Sequence, residues 1–86
     1  MERIENLILR SLVYNESYSR KVIPFIEPDY FHDSSERVLF EEIAQYMVKY
    51  NARPSREALG IEIEARNSLS EADIQNIRTI LTDFEP

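Results

Sequence analysis

Residues 26–55 read IEPDYFHDSSERVLFEEIAQYMVKYNARPS, and the punctuation in this stretch decides the fold. A proline at the first position of a short helical turn loses nothing, because its missing N–H would have been unpaired there anyway. Pro28-Asp29-Tyr30-Phe31 therefore reads as a single turn ending in two aromatic residues that plug a core. Asp33 is placed to cap the helix that follows, and Glu36, three positions on, completes an Asp-x-x-Glu variant of the capping box. Ser34 is an alternative cap one position later. Leu39, Phe40, Ile43, Ala44, Met47 and Tyr50 then share one broad face, with Glu41, Glu42, Gln45 and Lys49 on the other. A face that broad belongs in the middle of a bundle. Asn51 closes this central helix, Ala52-Arg53-Pro54 connects, and Ser55 caps the next one.

Towards the N-terminus, the spacing predicts a first helix from Glu2 to Tyr14 with Ile4, Leu7, Ile8, Ser11 and Leu12 on one face. Leu9 and Val13 form an i, i+4 pair on nearly the opposite side. Either later helices cover this second face, or the pair offers an apolar spot to a partner. Asn15 is a good N-cap for a second helix from Glu16, and so short a turn makes the two helices antiparallel neighbours. Tyr18, Val22, Phe25 and Ile26 continue an apolar stripe across Pro24. Because proline pushes the residue before it out of the α region, the helix should end near Ile23, leaving Phe25 and Ile26 as anchors beyond it.

Towards the C-terminus, residues 60–65, GIEIEA, alternate in strand fashion, and Gly60 costs a helix about 1 kcal/mol relative to alanine. The cap at Ser55 and the lack of any partner strand still favour a helix over Arg56–Arg66. Asn67-Ser68-Leu69 is a loop, Ser70 and Asp73 repeat the capping box, and Ile74, Ile77, Leu81 and Phe84 stripe a last helix from Glu71 to Phe84. The expected fold is all-α, a compact bundle of about five to six short helices forming a single domain over residues 1–86.

At 86 residues the chain is near the lower size for a core that folds without disulfides or metal, and with no cysteine it has neither a disulfide framework nor a thiolate metal site. One glycine against four prolines leaves few sites for tight hairpins, which also favours helices. The N-terminus carries Glu2 and Glu5 among its apolar residues, so no signal peptide is expected, and no segment reaches the roughly 20 apolar residues of a membrane span. A cytoplasmic location is the expectation. The formal net charge is −6 and the ten basic residues are scattered, with only Arg20 and Lys21 adjacent, so direct binding to duplex DNA is not expected. A protein partner suits such a surface better.

No catalytic constellation is legible. His32 is the only histidine, which rules out a histidine metal cluster and a Cys-His dyad and leaves a polar residue in the turn before a helix. Glu41 with Glu42 and Glu62 with Glu64 read as solvated helix faces rather than convergent acid–base pairs. The lone glycine, Gly60, excludes a phosphate-binding loop, so no metal or cofactor is expected in this chain. Tyr14, Tyr18, Tyr46 and Tyr50 combine an apolar ring with a hydroxyl, which suits either the boundary of a small core or a wet interface. Together with Leu9 and Val13 they are the candidate partner-interface residues.

The order of features also resembles a known family. The segment Val22-Ile23-Pro24-Phe25-Ile26, the turn Pro28-Asp29-Tyr30-Phe31, and Arg37-Val38-Leu39-Phe40 with Ile43 and Met47 appear in that order. Tyr50-Asn51-Ala52-Arg53-Pro54-Ser55 and Ala58-Leu59 follow. The whole is similar to the N-terminal domain of DnaB-family replicative helicases, in the variant of T-even-like bacteriophages, over about residues 4 to 81. These are packing and turn residues in a fixed sequence, not chemical groups. The resemblance implies a non-catalytic helical head that belongs to a longer, ring-forming helicase. It would associate with copies of itself and dock primase or other replisome proteins in the cytoplasm of a bacterial host. ATP and magnesium would belong to a separate C-terminal ATPase domain. The competing expectation, from the residues alone, is a free-standing helical adaptor or phage regulatory protein with the same helix order.

Overall fold

The computed structural model describes residues 4–84. Five α-helices follow one another: α1 (Ile4–Tyr14), α2 (Glu16–Val22), α3 (Ser34–Tyr50), α4 (Arg56–Glu64) and α5 (Glu71–Thr82). Short 3-10 turns at Ile23–Phe25 and Pro28–Tyr30 link α2 to α3, and no strand occurs among the described residues. The expected small all-helical bundle is what forms. Its Cα radius of gyration, 11.8 Å, matches the value of about 12 Å for a close-packed chain of this length. The expected start of the first helix at Glu2 lies outside the described residues.

Helices α2 to α5 each begin where a side chain takes up unpaired N–H groups of the first turn. Asn15 Oδ1 accepts from the Tyr18 N–H at 3.0 Å, and Ser55 Oγ accepts from the Ala58 N–H at 3.0 Å. The Asp33 carboxylate accepts from the N–H groups of Ser35 and Glu36 at 2.8 and 3.2 Å. The complete reciprocal box forms at α5: the Asp73 N–H donates to Ser70 Oγ at 3.1 Å and the Ser70 N–H to Asp73 Oδ2 at 3.3 Å. At α3, by contrast, the Glu36 side chain is buried. Asn51 ends α3 in the left-handed region, φ 52°, with its N–H bonded to the Met47 carbonyl at 2.9 Å. Asparagine is among the few residues other than glycine that adopt this conformation readily.

The core lies around α3, which touches α1, α4, α5 and the Pro28–Tyr30 turn. Phe31, Leu39, Phe40 and Ile43 meet Leu9, Leu12 and Val13 from α1, Leu59 and Ile63 from α4, and Ile77, Leu81 and Phe84 from the C-terminal end. The Phe31 and Phe40 rings pack 5.2 Å apart at 32°. In α4 the apparent alternation resolves as a helix because Leu59 and Ile63, four apart, point inward while Ile61 points to solvent.

Several expectations need correction. In α1 the buried face is Leu9, Leu12 and Val13, whereas Ile4 and Leu7 are exposed. The helix is apolar on both sides, so periodicity identifies two faces without ranking them. Packing of α2 and α3 makes the choice, with the buried Ser19 hydroxyl of α2 donating to the Leu12 carbonyl. Phe25 is 85 % exposed and is no anchor, because the 3-10 turn Ile23–Phe25, with Pro24 at its centre, breaks the helical period that would have carried it inward. Of the two aromatics after Pro28 only Phe31 plugs the core; Tyr30 is exposed, set edge-on to Phe31 at 5.2 Å and 90°. Tyr50, expected on the buried face of α3, is also exposed. Glu42, placed on the solvated face, is only 7 % exposed and pairs with Arg66 Nη1 at 3.0 Å. Finally, α5 stops at Thr82, and Phe84 reaches the core from beyond the helix.

Candidate functional site

The candidate interface residues separate into three groups. Leu9 and Val13 are 0 % and 1 % exposed and belong to the core, so the covered alternative for the second face of α1 is the one realised and neither residue is available to a partner. Tyr18 is half-buried and packs against the core. Tyr14 sits at the surface beside a cleft lined by Val13, Arg53, Pro54 and Glu57. Tyr46 and Tyr50, one turn apart on α3, bring their rings to 4.5 Å at 47°. They form a second aromatic edge, with Lys49 Nζ 5.1 Å from the Tyr50 ring centroid. Hydrogen bonding to the Tyr50 hydroxyl, then the Tyr50 and Glu62 charges, hold Lys49 above its ordinary pKa.

The α1–α2 corner is tied to this edge through arginines. Arg20 donates to Asn51 Oδ1 at 3.1 Å and to the Asn51 carbonyl at 2.9 Å, and Arg53 Nη1 donates to the Val13 carbonyl at 2.8 Å. The corner and the C-terminal end of α3 are thereby held in register. Tyr14 and the Tyr46–Tyr50 pair are still separate features, since neither Tyr46 nor Tyr50 lines the cleft beside Tyr14.

A different surface went unread in the sequence. Ile8, Phe25, Ile26 and Tyr30 line an apolar groove whose remaining lining residues are Glu27 and Asp29. Exposed Ile4 lies one helical turn before Ile8, with exposed Leu7 beside it, so the apolar surface continues along α1. The sequence places Ile4 and Leu7 on the main stripe of α1, Phe25 as an anchor beyond α2 and Tyr30 in the core, yet all four side chains are exposed and define this surface. The available signal was the spacing of Pro24 and Pro28 around Phe25, which marks a stiff, non-helical segment in which an aromatic has no helical face to share. Isolated exposed apolar residues, such as Val48 and Ile61, need no explanation; a contiguous patch does.

Among the described residues, no three His, Asp or Glu side chains gather to hold a metal ion. No helix of the described residues is long and apolar enough to cross a membrane. What the arrangement offers is a helical scaffold with exposed apolar and aromatic surface.

No family model matches the chain, and no solved structure matches it. The chain is similar to a DnaB-like replicative helicase of Enterobacteria phage T4, with 26 % identity over 76 residues. That alignment takes in 88 % of this chain and 16 % of the helicase, so the chain is loosely related to a short part of a DnaB-like replicative helicase and spans less than a fifth of its length.

Proposed function

We propose that this chain is a non-catalytic N-terminal domain of a ring-shaped replicative DNA helicase, serving subunit association and the docking of primase or another replisome protein. The observation that carries this reading is the alignment, which takes in nearly all of the chain but only 16 % of the helicase. A region that small, folded as a helical bundle around Phe31 and Phe40, suits a head carried by an enzyme whose nucleotide chemistry is done elsewhere. The turn and cap residues behind the resemblance (Pro28, Phe31, Asn51, Ser55) act here as scaffold, which leaves binding to the surface they hold in place. In this reading ATP and magnesium serve the ATPase part of the parent enzyme, and the domain works in the cytoplasm of a bacterial host.

Sedimentation velocity of the chain alone, and mixed with the primase encoded by the same genome, tests the proposal. The expected result is a concentration-dependent larger species, a co-sedimenting complex with primase, or both. A chain that remains monomeric and leaves the primase boundary unchanged rejects the docking role.

A further inference from the structure

We infer that the groove of Ile8, Phe25, Ile26 and Tyr30 is a docking site for a cationic amphipathic segment of a partner protein, and not a contact between copies of this chain. The inference deepens the docking reading above by naming the surface and the chemistry it selects. Phe25, 85 % exposed, stands in a 3-10 turn with Pro24 before it and Pro28 three residues on. Pro24 fixes the φ angle immediately before Phe25 and Pro28 fixes another three residues on, so the backbone that carries the ring has less entropy to lose when a partner covers it. An exposed aromatic in an apolar groove is the type of anchor that dominates binding energy at interfaces.

Charge selects the occupant. The two polar residues that line the groove, Glu27 and Asp29, are both carboxylates, and both are exposed. Neither has an ion-pair partner among the described residues. A second copy seated symmetrically on this surface would set Glu27 and Asp29 against their own equivalents, on molecules that each carry a net charge of −6. A helix with an apolar stripe for Phe25 and Ile8, flanked by Lys or Arg for Glu27 and Asp29, satisfies both halves of the groove.

The test uses fluorescence anisotropy with two labelled synthetic peptides, an amphipathic leucine–lysine helix and its leucine–glutamate counterpart. The wild-type chain should bind the lysine peptide and not the glutamate one. Phe25→Ser should weaken binding at least about tenfold, while Glu27→Gln and Asp29→Asn should each weaken it about two- to fivefold and flatten its salt dependence. Phe25→Ser should melt with the wild type, since the ring is outside the core. Equal affinity of Phe25→Ser and wild type, equal binding of the two peptides, or no binding of either overturns the inference. So does a wild-type dimer that Phe25→Ser dissociates, which would give the surface to a second copy. Primase co-sedimentation that survives Phe25→Ser would drop this groove while leaving the docking role intact.

Discussion

Phe40 and Phe25 are the same residue type in opposite environments, and the difference sets their energetic weight. Phe40 packs against Phe31 in the core, whereas Phe25 stands in solvent. Phe40→Ala should cost about 3 to 5 kcal/mol, a large part of the roughly 5 to 15 kcal/mol that a domain commands, so its thermal melt should be strongly lowered or lost. Phe25→Ala should change stability by no more than about 0.5 kcal/mol. Circular dichroism melts of the two variants side by side check both. Phe40 was legible because it sits inside a long, well-capped helix where the 3.6-residue period holds; Phe25 was not, because the period ends at Pro24. Glu42 was misplaced for a different reason: its partner Arg66 lies 24 positions on, across a helix and a connector, at a distance no local pattern spans. Arg66→Ala, by leaving the Glu42 carboxylate enclosed without its partner, should destabilise by about 1 to 3 kcal/mol. The double change Glu42→Leu with Arg66→Met should recover much of that loss. Urea denaturation of the single and double variants measures it.

Among the elements, α4 and α1 show which signals can be trusted. The α4 segment looks strand-like when read two residues at a time, yet the Ser55 cap fixes its first turn and Leu59 and Ile63 give it a buried seam. Gly60 is tolerated there without a structural need: its backbone is helical, and a Cβ added to it would meet nothing within 4 Å. Gly60→Ala should therefore stabilise the protein by about 0.5 to 1 kcal/mol, by reducing the entropy of the unfolded chain and improving helix propensity. A higher melting temperature for the variant is the expected result, and a lower one would show that the position serves a contact absent from this fold. Caps were the most readable features of all. Asn15, Asp33, Ser55 and Ser70 each stand where the sequence placed them, because a cap is a local interaction within three residues. The buried face of α1 was not readable, since both sides of that helix are apolar and the choice belongs to α2 and α3. The groove follows from that ambiguity together with the break at Pro24: Ile4 and Leu7, on the striped face of α1, and Phe25, expected as an anchor beyond α2, are the ones left outside.

For the whole molecule, charge is the property that bears most directly on what it can bind. Sixteen acidic residues face ten basic ones, and most of the basic groups are already engaged within the fold. Arg20 is bound to Asn51, Arg53 to the Val13 carbonyl, Arg37 to the Phe31 carbonyl, Arg56 to the Leu81 carbonyl, Arg66 to Glu42, and Arg78 to Glu64. Several of these arginines hold one helix to another, so recruiting them to phosphates would loosen the bundle as well as desolvate them. Duplex affinity grows with the number of phosphates neutralised, each releasing counterions, and a chain whose basic residues are scattered in sequence and mostly engaged within the fold gains little from that release. The expected outcome of a gel shift with duplex DNA at moderate salt is therefore no retarded band. A complex that formed at low salt and vanished steeply as salt rose would overturn this. It would mean that the arginines now committed to carbonyls and carboxylates are released at small energetic cost, which the melting behaviour of Arg66→Ala would independently reveal as a near-zero change in stability.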